Sequence, residues 1–153
     1  MKRVGLWTIA IGLLLSVGPL GAEPGLAETG ALPRCTLSTL KGRYLFGGIA
    51  SVGPSSLAVA GYHIFNGDGT GKDVLSATLD GHSIEHNLSS NPDRSEYDIT
   101  YTVNADCSGT YTVPSAGLSF GLYVAPDGDE VIVIGLTPGF TLVQGPNKRV
   151  SPR

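Results

Sequence analysis

The sequence predicts an all-β fold, a small closed antiparallel barrel of about eight strands. Three observations carry this prediction. Turn signals rich in Gly, Pro, Asn and Asp recur at intervals of roughly eight to twelve residues, and the segments between them alternate between apolar and polar residues. No segment beyond the N-terminal region predicts an amphipathic helix longer than two turns. Glycines inside several predicted strands suit the strong coiling of a small barrel.

The N-terminus has the organisation of an export signal. Residues 1–3 include two basic side chains, residues 4–17 are apolar, and small residues follow up to Ala22. The apolar run is shorter than the roughly 20 residues that a membrane span requires. We therefore predict a signal peptide over residues 1–22, cleaved after Ala22 or Ala27, with an uncleaved membrane anchor as the alternative. Export places the mature protein in the periplasm or outside the cell.

The rest of the chain has the size of one domain with its own core. Residues 23–34 lack periodicity and predict a flexible leader, residues 35–149 the barrel domain and residues 150–153 a tail. Fraying is predicted to begin earlier, at about Gly145, because prolines follow it. Residues 36–41 predict one helical turn before the first strand.

The predicted strands follow from period-two alternation between turn signals. Tyr97, Ile99, Tyr101 and Val103, for example, alternate with polar residues. The segment 131–134 is apolar at every position, which predicts a strand covered on both faces. The predicted strands are residues 44–50, 57–65, 72–79, 84–88, 97–103, 110–113, 118–124, 131–136 and 140–143.

Charge argues against two classes of partner. The chain carries 10 basic and 13 acidic residues, and removal of the signal takes away Lys2 and Arg3 but no acid. Lys148 and Arg149 form the densest remaining basic pair. Nucleic-acid binding normally needs a basic stripe, and an anionic membrane surface needs the same, so we expect neither partner and no stable membrane insertion.

The two cysteines, Cys35 and Cys107, both lie in the exported part. In an oxidising compartment, two cysteines of one small domain most often pair. We therefore predict a disulfide, with a free buried thiol or a reactive nucleophile as alternatives.

Three segments resemble a group of small secreted bacterial proteins with an allene-oxide-cyclase barrel-like, calycin-like domain. They are residues 35–44 (CTLSTLKGRY), 61–69 (GYHIFNGDG) and 101–113 (YTVNADCSGTYTV). The resemblance implies an eight-stranded antiparallel barrel with an interior cavity and a bond between the two cysteines. No position matches a catalytic motif of the plant cyclases, so we assign no catalytic residue, and barrel shape alone does not imply cyclase chemistry.

Two motifs have better structural explanations than functional ones. Residues 117–121 match the G-x-S-x-G pattern of hydrolases, but Ser119 lies in an alternating strand and every histidine precedes it. Residues 66–71 resemble the start of a calcium loop, yet the twelfth position is Ala77 rather than a bidentate Glu. A hairpin turn explains the second motif better.

The histidines and acidic residues raise two further hypotheses, a metal site and a glycosidase site. His82 and His86 would be about 13 Å apart on one strand, so a metal site would need His63 from a neighbouring strand. Polar histidines at the barrel rim or in loops are the better explanation. Glu85 and Glu96, with Asp98 beside them, could supply paired carboxylates for glycoside chemistry. We predict no metal, no cofactor and no catalytic residue.

Aromatic residues are spread over most predicted strands, and some must point into the barrel. Core packing is their default role, and a pocket for a small apolar or amphipathic ligand is the sharper hypothesis. The aromatic residues predicted to line such a pocket are Tyr44, Phe65, Tyr97, Tyr101, Tyr111 and Phe120.

The function hypothesis is an exported, non-catalytic barrel that binds a small apolar or amphipathic molecule or acts as a stable extracellular accessory protein. One alternative is a cofactor-free isomerase or cyclase that acts in the cavity, which inward tyrosines beside an inward carboxylate such as Glu96 would favour. The other is a structural or interaction module with a filled barrel and an apolar outer patch.

Overall fold

The computed structural model describes residues 34–84 and 94–151. The predicted signal peptide, nearly all of the leader, and most of the strand predicted at residues 84–88 lie outside these ranges. Within them, the strands are β1 (Gly42–Val52), β2 (Ser55–Phe65), β3 (Thr70–Leu79), β4 (His82–Ser83), β5 (Ser95–Val103), β6 (Ser108–Val113), β7 (Leu118–Val124), β8 (Glu130–Gly135) and β9 (Phe140–Arg149). Two short 3₁₀ helices span Leu37–Leu40 and Pro114–Ala116.

Eight of these strands close into an antiparallel barrel. The hydrogen-bonded order is β2-β1-β9-β8-β7-β6-β5-β3-β4, and the pairing of β2 with β3 closes the ring. The short strand β4 pairs with the end of β3, beyond the part that pairs with β5. Each long strand except β5 follows its neighbour through a hairpin, as the regular turn signals indicate. The predicted fold class is confirmed.

The alternating pattern places one set of side chains inside the barrel. In β5, Ile99 and Tyr101 are buried whereas Asp98, Thr100 and Thr102 are exposed. Side chains two residues apart on a strand share a face, so the apolar phase of each strand forms the core. The period of two therefore identifies the inward residues of this strand correctly.

The prediction that residues 131–134 are covered on both faces is wrong. Val131 and Val133 are buried, but Ile132 is 45% and Ile134 38% exposed. A closed barrel has a single covered face, its interior, and the second apolar phase of β8 lies on the outer wall. Val143 on the neighbouring strand β9 is exposed on the same wall.

The prediction that the chain frays from Gly145 is also wrong. Strand β9 continues to Arg149, and its last residues pair with both β8 and β1. Pro146 cannot donate a backbone hydrogen bond, but it lies where the register between β8 and β9 shifts. The irregularity accommodates the proline, so it interrupts the strand without ending it.

One end of the barrel, here called the closed end, is covered by the first 3₁₀ helix. The turn predicted at residues 36–41 is confirmed as Leu37–Leu40, and Leu40 is fully buried against the core. The predicted disulfide is confirmed: Cys35 and Cys107 are bonded, with their Cα atoms 4.9 Å apart. Cys107 lies in the turn between β5 and β6, so the bond fastens the helix to the barrel.

Arg149 reinforces the closed end. Its guanidinium donates hydrogen bonds to the carbonyl oxygens of Thr39, Lys41 and Gly128, and it lies 5.3 Å from the centre of the Tyr44 ring. The Tyr44 hydroxyl donates to the same Gly128 carbonyl. A β-carbon at Gly128 would lie 2.1 Å from the Thr39 carbonyl oxygen, and φ is +69° there. Only glycine lets this turn approach the helix so closely.

Candidate functional site

A cavity occupies the half of the barrel away from the closed end. Its volume is about 120 Å³. Its walls are apolar for most of their extent and include Phe46, Leu57, Ala77, Val113, Phe120 and Leu142. Ile84, Ala116 and Phe140, which lie near strand ends, form the rim at what we call the open end. Among residues 34–84 and 94–151, the barrel interior is therefore covered at one end and open at the other.

The six predicted pocket residues divide between two levels of the barrel. Three of them line the cavity: Tyr97, Tyr111 and Phe120. The rings of Tyr111 and Phe120 are stacked, with centroids 4.5 Å apart and planes 10° apart. They form one continuous aromatic wall.

The other three predicted residues, Tyr44, Phe65 and Tyr101, do not line this cavity. They pack edge to face between it and the 3₁₀ helix, with Phe65 lying 5.6 Å from Tyr44 and 4.9 Å from Tyr101. The Tyr101 hydroxyl accepts a hydrogen bond from the Gly67 backbone and donates to the Leu37 carbonyl. These three residues are the packed base of the barrel interior.

A polar cluster lies within the otherwise apolar interior. Nδ1 of His63 is 2.6 Å from Oδ1 of Asp73, and Nε2 of the same ring is 3.3 Å from Oε1 of Gln144. All three side chains are buried and line the cavity. The imidazole stacks on Phe46 at 4.1 Å and contacts the edge of Tyr111 at 5.5 Å. We call His63, Asp73, Gln144 and Tyr111 the polar cluster.

Strand register explains why the cluster forms. His63 on β2 and Asp73 on β3 are direct cross-strand partners, and residues so paired lie about 5 Å apart at Cβ. Both occupy the inward phase of their strands, as Phe65 does on β2 and Ala77 on β3. Gln144 shares the inward phase of β9 with Leu142. The adjacent strands β2 and β3, and β9 on the other side of β1, thus contribute one inward polar group each.

The contact with Asp73 indicates which nitrogen of the His63 ring carries a proton. An ionised carboxylate only accepts hydrogen bonds, so Nδ1 of His63 donates to it. Nε2 then either donates to the Gln144 carbonyl oxygen as part of an imidazolium, or accepts from the Gln144 amide nitrogen in the rotated amide. A proton can therefore be exchanged at Nε2 without loss of the bond to Asp73.

Three polar groups of the cluster have further hydrogen-bonding capacity. Within the described residues, Oδ2 of Asp73, the amide nitrogen of Gln144 and the Tyr111 hydroxyl make no hydrogen bond to protein. Burial raises the pKa of Tyr111 well above its ordinary 10.0, and the negative charge of Asp73 raises it further. The Tyr111 hydroxyl therefore stays protonated at neutral pH and can donate a hydrogen bond.

The sequence interpretation missed Asp73 and Gln144, and considered His63 only as a metal ligand or as a polar histidine at the rim or in a loop. A usable signal exists for all three. Each is a polar residue in the apolar phase of a predicted or extended strand, which is the pattern expected of a polar group that faces a barrel interior. Gln144 was additionally hidden because the strand was predicted to end at residue 143.

Other candidate sites do not come together. Ser119 lies within β7. Residues 66–69 form the hairpin turn between β2 and β3, and Asp68 in this turn accepts hydrogen bonds from Thr70, the first residue of β3. These bonds lower the pKa of Asp68. Across residues 34–84 and 94–151, no three metal-binding side chains cluster.

The histidines and acids of the alternative hypotheses are dispersed. His82 is exposed on β4, and Glu85 and His86 lie outside the described residues. Glu96 forms an ion pair with Lys72, and Asp98 lies 3.5 Å from the same ammonium. Glu96 is therefore not an inward carboxylate, whereas Asp73 is buried and lines the cavity.

Comparisons with known proteins add nothing to this geometry: no family model, no curated protein and no solved structure matches the chain. The resemblance to allene-oxide-cyclase barrel-like proteins stays a prediction. The helices in the described part of the chain include none with the length and apolar character of a bilayer span.

Proposed function

We propose that this protein is an exported, non-catalytic barrel that binds one small apolar molecule in its interior cavity. The observation that carries the proposal is the cavity itself, which has apolar walls, a base packed with Phe65 and Tyr101, and a rim at the open end. Ligand sites are typically concave and mostly apolar, with a few polar groups that set orientation. A module with a filled barrel would lack such a space.

Cavity size limits the ligand. A dry apolar cavity of about 150 Å³ accepts benzene, and the cavity here measures about 120 Å³. A single ring or a short branched chain is therefore the expected size. A fatty acid would not fit unless the rim around Ile84 and Phe140 opened.

The disulfide supports the export part of the proposal. Bonds between cysteines persist in oxidising compartments such as the periplasm and the extracellular space, and Cys35 and Cys107 are bonded. Secretion or periplasmic residence, directed by the predicted signal at residues 1–22, is thus the proposed localisation. Detection of the mature chain, beginning at residue 23 or 28, in the periplasmic or culture fraction would test it.

The binding proposal is tested by titration with toluene, followed through backbone amide resonances. We expect saturable shifts confined to residues around the cavity. Ala77→Leu fills the cavity and should abolish the shifts, whereas Ala58→Leu places the same side chain on the exposed face of the neighbouring strand and should leave them unchanged. Absence of saturable shifts in the wild type, or equal binding to Ala77→Leu, would refute the proposal.

A cofactor-free isomerase is the second candidate. It is favoured by the His63–Asp73 pair beside Tyr111 in a mostly apolar cavity, since such a pair can move a proton at Nε2. The test is deuterium incorporation from D₂O at the α-carbon of a small ketone. Exchange that the protein accelerates and that His63→Leu abolishes would support catalysis; exchange at the buffer rate would exclude it for that substrate.

A further inference from the structure

The polar cluster indicates that the ligand of this cavity also carries a polar group. We propose that the cavity selects a small neutral ring that carries one hydroxyl group, such as a simple phenol, and that the hydroxyl binds at Asp73 and Gln144. This inference rests on the proposed function, because it specifies the ligand class of the same cavity.

The hydrogen-bonding capacity of the cluster fits a hydroxyl group. Oδ2 of Asp73 is an acceptor, and the Gln144 amide nitrogen is a donor. Neither makes a hydrogen bond to the described protein residues, although both side chains are about 97% buried, with 3% of their surface exposed. A ligand O–H can donate to the carboxylate while its oxygen accepts from the amide.

Tyr111 adds a second donor at the same place. Its ring belongs to the aromatic wall with Phe120, and its hydroxyl makes no hydrogen bond within the described residues. Its side chain is nearly fully buried, at 2% exposure, and Asp73 is close enough to influence it electrostatically. These polar groups line the cavity, so a ligand that makes hydrogen bonds with them gains affinity over one that does not.

Ligand charge is restricted by the same groups. A carboxylate ligand is disfavoured, because it has no hydrogen to donate to Oδ2 of Asp73 and because transfer of its charge from water into a mostly apolar cavity is costly. The stacked rings of Tyr111 and Phe120, together with Phe46 on the opposing His63 ring, favour a flat ligand body.

The test compares three single-ring probes of similar shape: phenol, toluene and benzoate. We expect phenol to bind at least about tenfold more tightly than toluene, since a hydrogen bond to a charged group contributes that much or more. Toluene is the more apolar of the two, so partitioning alone would give the opposite order. Benzoate should bind more weakly than both.

Two conservative variants locate the effect. Asp73→Asn keeps an acceptor for His63 but turns an amide nitrogen toward the ligand, and Tyr111→Phe keeps the stacked ring. Each should lower phenol affinity towards that of toluene and leave toluene binding unchanged. Tyr123→Phe, on the exposed outer wall, is the matched control and should change neither. Thermal unfolding of each variant confirms that it is folded.

The outcomes separate the two proposals. Equal affinity for phenol and toluene, tighter binding of benzoate, or a phenol preference that survives both Asp73→Asn and Tyr111→Phe would overturn the hydroxyl-ring inference and leave the apolar-ligand proposal standing. If none of the three probes binds, the proposed function fails and the inference fails with it.

Discussion

Replacing Asp73 by leucine should destabilise the protein through the histidine that it leaves behind. His63 is 1% exposed and bonded to Asp73 at 2.6 Å, so Asp73→Leu leaves Nδ1–H buried without an acceptor. A buried neutral donor without a partner costs about 1–3 kcal/mol, and a buried cation about 3–5 kcal/mol.

The double variant His63→Leu/Asp73→Leu distinguishes this cause from simple repacking. Removal of both partners leaves neither member of the pair unsatisfied, and replacing a buried pair by apolar side chains is often neutral or stabilising. Gln144 loses its contact with Nε2 in the double variant, but it loses the same contact in His63→Leu, so this cost does not affect the comparison of the double variant with the two single variants. We expect the double variant to be more stable than Asp73→Leu by at least about 1 kcal/mol, although it carries one more substitution.

Urea unfolding followed by circular dichroism provides the free energies of unfolding. If the slope of this free energy against urea concentration is the same in all variants, the surface exposed on unfolding has not changed. Asp98→Leu is the control, because Asp98 is 89% exposed on the outer wall and its replacement should change stability by no more than about 0.5 kcal/mol. An Asp73→Leu variant as stable as the wild type, or a double variant whose loss equals the sum of the two single losses, would refute the reasoning.

Three further predictions concern the closed end and the cluster. Substituting both Cys35 and Cys107 by serine should lower stability by up to about 4 kcal/mol on the chain-entropy model, since the bond closes a loop with a sequence separation of 72; an unchanged urea midpoint would contradict it. Arg149→Met removes donors from three carbonyl groups and should cost about 2–4 kcal/mol by the same measurement. Because the folded state raises the pKa of Tyr111 above 10.0, its contribution to stability is present below pH 10 and is lost as the pH rises further. Tyr111→Phe should therefore show a smaller fall in urea midpoint between pH 9 and about pH 11 than the wild type, and parallel curves would contradict this.

Much of the fold could be predicted because period-two alternation and turn residues are local signals. The phase of Ile99 and Tyr101 in β5 identifies the inward face, and the turn at residues 66–69 lies where its glycines and Asp68 indicate. Local sequence patterns do not predict features that depend on how the strands close into a barrel. Whether Ile132 lies under another layer depends on the whole barrel, and Pro146 ends a strand only if no irregularity accommodates it.

The site was less predictable because it depends on register between strands. His63 and Asp73 are ten residues apart in sequence, and only the pairing of β2 with β3 makes them partners. The position of an aromatic side chain along the barrel axis likewise cannot be predicted from the pattern of its own strand, because it depends on how the strands are aligned with each other. Tyr111 and Tyr101 have the same inward phase, yet one lines the cavity and the other packs against the 3₁₀ helix.

A xenon-pressurised crystal gives the most direct measurement of whether the interior is a usable cavity. Xenon enters dry apolar cavities of this size, and its anomalous signal reports its position. The proposed function predicts one strongly occupied xenon site between Ala77 and Phe120, in the cavity that the polar cluster also lines. It also predicts that this xenon site is lost in Ala77→Leu. A wild-type barrel with its side chains packed across this space and no xenon within it would contradict the account.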